Sequence, residues 1–120
     1  MPISIKFKTF ADAYDLNDLH PKLKEILNFV IYEADKREWE LEITSVYRAS
    51  GGVHSLFRGV DLVPVDRDVG KMEWIRDKVN ENFDYGKEGL EVCPPVRHGT
   101  APHCHLQSRD ETRRIENAHI

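Results

Sequence analysis

The tightest constraint on how this chain can fold is a stripe. Leu23, Ile26, Leu27, Val30, Ile31 and Ala34 recur at i, i+3, i+4, i+7, i+8 and i+11, lining one face of an α-helix over about three turns. A helix that is apolar on one side only must be covered by another layer. Pro21 suits its first turn, where a missing N–H costs nothing, and Lys36 and Arg37 complement the dipole at its end. The spacing predicts a helix over about 21–37. The covering layer is signalled by runs of period two. Ile3, Ile5 and Phe7 alternate with Ser4, Lys6 and Lys8, and Leu41, Ile43, Ser45 and Tyr47 alternate with Glu40, Glu42, Thr44 and Val46. Both runs read as strands with one wet face.

Gly51 and Gly52 break the second run into a loop. Residues 59–65 read as a returning strand that stops near Pro64. Asp66 to Val69 can cap a second helix over about 70–83, with Met72, Ile75, Val79 and Phe83 as its buried edge. Tyr85 to Gly89 is a turn. Leu90, Val92 and Val96 suggest a strand interrupted by Pro94 and Pro95, and residues 103–107 form the last strand. Beyond Ser108 the mixed-charge tail has little to bury, so residues 108–120 are expected to be peripheral to a single domain spanning 1–120. The order β-α-β-β-α-β-β indicates an α+β fold, a small mostly antiparallel sheet with two main helices packed on one face.

Composition narrows the function classes. A net charge of −4 argues against nucleic acid as a partner, since that calls for a basic face. No apolar stretch approaches the roughly 20 residues of a membrane span, and the alternating N-terminus lacks the continuous apolar core of a signal peptide. The expectation is a product made in the cytoplasm. Two cysteines, Cys93 and Cys104, are too few for a disulfide framework and read as buried free thiols.

The chemistry concentrates between Ile43 and Val65. An apolar run delivers Arg48 to a loop, the loop carries His54, and Asp61 follows seven residues later among apolar neighbours in Gly-Val-Asp-Leu-Val. A carboxylate buried in an apolar strand requires a cation or strong donors beside it. A salt bridge to Arg58 meets that need in one reading; a metal ion shared with His54 meets it in the other. Further ligands are available at His103 and His105, which on a strand share a face while Cys104 points to the other. One of the pair can bind metal while its neighbour handles protons. A His/Asp/His set fits zinc, leaving a fourth position for water that the ion activates near neutral pH.

In order and spacing, these residues resemble the D-alanyl-D-alanine metallopeptidases, a group that includes the phage L-alanyl-D-glutamate endolysins, the murein endopeptidases and the hedgehog zinc domain. Thr44-Ser45-Val46-Tyr47-Arg48 matches a strand ending T-S-x-x-R, and His54 to Asp61 reproduces the interval between two ligands. Leu19-His20-Pro21-Lys22-Leu23 is similar to the L-H-P-x-L that opens the first helix, and His103-Cys104-His105-Leu106 matches the closing His-x-His. The resemblance spans about residues 17–107. It implies a hedgehog/DD-peptidase-like fold, zinc held by His54, Asp61 and His105, His103 as the proton carrier, and Arg48 as the anchor for a substrate carbonyl or carboxylate. It further implies a zinc-dependent peptidase of peptidoglycan stem peptides, endopeptidase or carboxypeptidase, such as a phage or prophage lysis enzyme kept in the cytoplasm until released. The opposite register, with His103 as ligand, is the alternative, and His98 is a reserve for the acid/base role. Gly52 and Phe57 depart from the serine and glycine of the first signature. Pro102 stands where many relatives carry a catalytic carboxylate. A non-catalytic zinc-binding or virion structural domain of the same fold is therefore the second expectation.

Overall fold

The computed structural model describes residues 5–7, 19–48, 57–97 and 101–115, with the side chains of 5–7, 47, 48, 57 and 58 outside the description. Elements follow in the order β1 (Ile5–Phe7), α1 (Pro21–Lys36), β2 (Leu41–Arg48), β3 (Phe57–Pro64), α2 (Val69–Asn82), β4 (Phe83–Asp84), β5 (Cys104–Gln107) and β6 (Arg113–Arg114). The main sheet runs β1-β2-β3-β5, and β4 with β6 forms a separate ribbon. β1 lies parallel to β2, while the β2–β3 and β3–β5 pairs are antiparallel.

Both helices start where their caps dictate. The His20 ring accepts from Lys22 N–H at 3.1 Å with Pro21 in the first turn of α1, and Asp68 accepts from Lys71 N–H at 2.9 Å at the start of α2. Arg37 closes α1 by donating to the Glu33 carbonyl. Most of each expected stripe is buried, Leu23, Ile26, Leu27, Val30 and Ala34 on α1 and Met72, Ile75 and Val79 on α2, while Ile31 is only half-buried and Phe83 is buried from β4 rather than from the helix. They share one core with Leu41, Ile43, Val60, Leu62, Cys104 and Leu106 from the sheet. Each fully buried aliphatic side chain contributes about 1.5–3 kcal/mol.

Three details differ from the sequence expectation. In β2 the pairing slips between Ile43 and Ser45, so that Leu41, Ile43 and Val46 are buried and Ser45 pairs with Asp61. An irregularity at Thr44 moves the alternation by one residue, which a strict period of two does not foresee. Residues 90–96 form no strand. Val92, Cys93 and Val96 are buried, but Asn80 of α2 takes the Cys93 N–H at 3.0 Å and donates to its carbonyl at 2.8 Å. A side-chain amide thus replaces a ladder. Finally, residues 108–115 are not bare of contacts. Ser108 and Thr112 are buried, β6 pairs with β4, and Ile115 N–H reaches the Asn82 carbonyl at 2.9 Å. These are polar interactions that hydropathy does not register.

Candidate metal centre

Burial of one face decides what the other face can carry. On β3, Val60 and Leu62 point into the core, so Asp61 points away from it; on β5, Cys104 and Leu106 are buried and His103, His105 and Gln107 take the opposite side. Register then aligns the polar set. Ser45 pairs with Asp61, and Asp61 pairs with His105, placing three side chains in a row across adjacent antiparallel strands, where opposite Cβ atoms are about 4.5–5.5 Å apart.

The carboxylate has found its partners. Asp61 Oδ1 lies 2.8 Å from His105 Nδ1 and 3.7 Å from His103 Nε2. His103 Nδ1 is 2.9 Å from the Ala101 carbonyl oxygen. A carbonyl only accepts, so this nitrogen carries the proton and the neutral ring keeps its lone pair on Nε2, the side facing Asp61. His105 is tied differently. Its Nε2 is 3.2 Å from Gln107 Oε1 and its Nδ1 2.8 Å from Asp61 Oδ1. A carboxylate oxygen only accepts, so the closer contact places the proton of the neutral, metal-free ring on Nδ1, the position a metal ion would take in its stead. Burial pushes the His105 imidazole below its usual range, with the Gln107 hydrogen bond pulling the other way. A metal ion on Nδ1 leaves the ring neutral, which burial favours. Asp61 and His105 are thus two donors of the kind a divalent cation takes, and a zinc site would need a third protein ligand. Zinc bonds of about 2.0–2.2 Å in tetrahedral geometry hold N and O about 3.3 Å apart, so the pair has to open by only about half an ångström.

Asp61 and His103 line a cleft of about 630 Å³ whose walls include Thr44, Ser45, Val63 and Met72. Arg67 also lines it, held in the left-handed region (φ 59°) with Nη1 donating to the Pro64 and Val65 carbonyls and to Glu42. A groove of about 740 Å³ along the outer side of α1, by Tyr32 and Lys36, has no histidine or aspartate in its lining.

Of the residues expected at the site, the fold brings Asp61, His103 and His105 together. His54 and His98 lie outside the described residues, as does the side chain of Arg48, whose backbone ends β2 opposite Phe57. Among the described residues no group of three or more His, Cys, Asp or Glu side chains stands ready for a metal ion; Asp61 with His105 supplies two. Sequence reasoning missed Gln107 and Ser45. The period of two that pairs His103 with His105 continues to Gln107 and was the available signal. Ser45 was hidden by the slip at Thr44. Cys93 and Cys104 are free and buried, as expected. The hydrogen bond with neighbouring Cys93, and burial, push the Cys104 thiol far up, which disfavours the reactive thiolate at neutral pH. Among the described residues no helix is long and apolar enough to cross a membrane. Compared with protein-family models and with curated proteins, the chain matches none.

Proposed function

We propose that this chain is a zinc-dependent peptidase of peptidoglycan stem peptides with a hedgehog/DD-peptidase-like fold. The observation that carries the proposal is the arrangement on neighbouring strands of Asp61 with His105 at 2.8 Å and His103 at 3.7 Å, at the edge of a cleft sized for a short peptide. Asp61 and His105 would hold the metal ion together with His54. When bound, zinc supplies Lewis acidity to a substrate carbonyl and to water. His103, whose Nδ1 faces the Ala101 carbonyl and whose Nε2 is turned to Asp61, accepts a proton from water in the cleft and returns it to the departing amine. Val63, Val69 and Met72 form the apolar wall, and Arg48 anchors a substrate oxygen through its planar fork. Release of the enzyme onto the cell wall by a separate lysis pore completes the reading.

Mass analysis of muropeptides after digestion tests it. The expected result is stem-peptide cleavage by zinc-loaded protein, abolished by chelation and by His103→Ala while zinc is retained. Protein that binds zinc but cleaves no muropeptide identifies the non-catalytic zinc domain instead. Protein purified without a polyhistidine tag that carries no zinc, and shows no thermal shift when zinc is added, overturns both.

A further inference from the structure

Arg67 is fixed in its turn at both ends of the residue. Its backbone stands in the left-handed region at φ 59°, which a residue with a side chain holds only where its surroundings fix it. Its own N–H donates to the Pro64 carbonyl at 2.8 Å, and the N–H of Asp68, the cap of α2, donates to Asp66 Oδ1 at 3.0 Å. At the far end, Nη1 shares its protons among the carbonyls of Pro64 (3.4 Å) and Val65 (3.3 Å) and Glu42 Oε1 (3.2 Å). A guanidinium has five N–H groups, and the two other nitrogens, Nε and Nη2, make no hydrogen bond among the described residues. Their N–H groups run parallel along one edge, the geometry that grips a carboxylate with two bonds at once. The side chain keeps 53% of its surface in water, so a ligand can reach it.

Arg67 lines the cleft that holds Asp61 and His103, and among the described residues it is the only lysine or arginine to do so. Val63 lies two residues beyond Asp61 on the same face of β3 and pairs with Glu42, so the Glu42–Arg67 pair stands about 7 Å along the strand from Asp61. Val63, Val69 and Met72 supply apolar surface to the same cleft. We propose that the Nε–Nη2 edge of Arg67 is a carboxylate-binding site, and that the cleft takes a peptide whose free terminal carboxylate lies about two residues from the group beside Asp61, since an extended chain advances roughly 3.3–3.6 Å per residue. The relation to a reacting bond rests on the peptidase reading given above; the carboxylate site belongs to the metal-free protein and stands apart from it. Glu42 lowers the net charge beside the guanidinium, so the anchor works through directed N–H groups more than through charge. Because Pro64, Val65 and Glu42 already hold Nη1, little ordering of the side chain is left for the ligand to impose. Such an anchor selects the end of a chain over its interior, which favours release of a C-terminal fragment over cleavage within a longer peptide.

The test is an NMR titration of the metal-free protein, kept in chelator, with N-acetyl-trialanine as the free acid and as the C-terminal amide, in the L and the D series. The free acid of one series is expected to bind at least about tenfold more tightly than its amide, the effect of hydrogen bonds to a charged group. Arg67→Gln should remove this preference while leaving the affinity for the amide unchanged. Arg67→Lys, which keeps the charge without the parallel N–H pair, should retain only part of it. Equal binding of acid and amide, a preference that survives in Arg67→Gln, or binding of none of these peptides overturns the proposal. An arginine that only braces the turn would lower the melting temperature when replaced, with no preference in the wild type to lose. Should Arg67→Gln fail to fold, the wild-type comparison and Arg67→Lys still decide. If the preference is present and depends on Arg67 while zinc-loaded protein cleaves no muropeptide, the peptidase reading fails and the carboxylate site stands; cleavage without the preference keeps that reading and sinks the site.

Discussion

His105 gains a position beside Asp61 at the cost of water, and that exchange has a pH signature. Its folded value lies below the ordinary histidine value, about 6.5 in an unfolded chain. The unfolded state therefore binds more protons in the interval between the two, and stability rises with pH there. The melting temperature of the metal-free protein is expected to fall as pH drops from about 7 toward 5, and this component should be absent in His105→Asn. Calorimetry across that range in both proteins checks the difference. At Cys104 the expected behaviour is inertness. A thiol reagent at pH 8 should label neither Cys93 nor Cys104 in the native protein and both after denaturation.

Two glycines of the turn after β4 separate strain from collision. Gly86 has φ +94°, and an added Cβ would lie 2.7 Å from Glu111 Cβ and 2.8 Å from its backbone; Gly89 has φ +81° with nothing within 4 Å. Gly89→Ala should cost only the conformational term, about 1 kcal/mol. Gly86→Ala should cost clearly more, about 3 kcal/mol, because the loop around Glu111 has to move as well. Urea unfolding of the two variants checks the ranking. Asn80 makes the corresponding case for the 91–93 segment. Asn80→Ala leaves the Cys93 N–H and carbonyl without that partner, so a loss of about 2–3 kcal/mol is expected by the same measurement.

For the molecule as a whole, what was legible in the sequence follows from what periodicity can encode. Both helices and the alternating strand faces are repeats of apolar residues, and Leu23 to Ala34 or Val60 with Leu62 announce them directly. The pairing of Asp61 with His105 was half legible. Their residue types marked them as site candidates, but only the register of β3 against β5 brings residues 44 positions apart into contact. Illegible were the interactions built from single polar side chains: the slip at Thr44, the Asn80 bracket in place of a strand at 90–96, and the burial of Ser108 and Thr112. None has a period, so none leaves a pattern in hydropathy. The core those periods describe should behave as one unit, with Leu62→Ala costing about 2–5 kcal/mol and lowering helix and sheet signals together in thermal melts followed by circular dichroism.

The outer margin of β5 limits how the main sheet can be extended. Away from β3, the N–H groups of His103 and Gln107 are already donated to the carbonyls of Val96 and Val92. The border is thus occupied by the protein's own chain, and a guest cannot lengthen the sheet by adding itself there as an extra strand. A peptide substrate of the kind proposed would instead have to lie across the exposed surface of the sheet, over the histidines rather than alongside them. Recognition of such a crosswise guest would depend on side-chain fit and stereochemistry more than on backbone laddering.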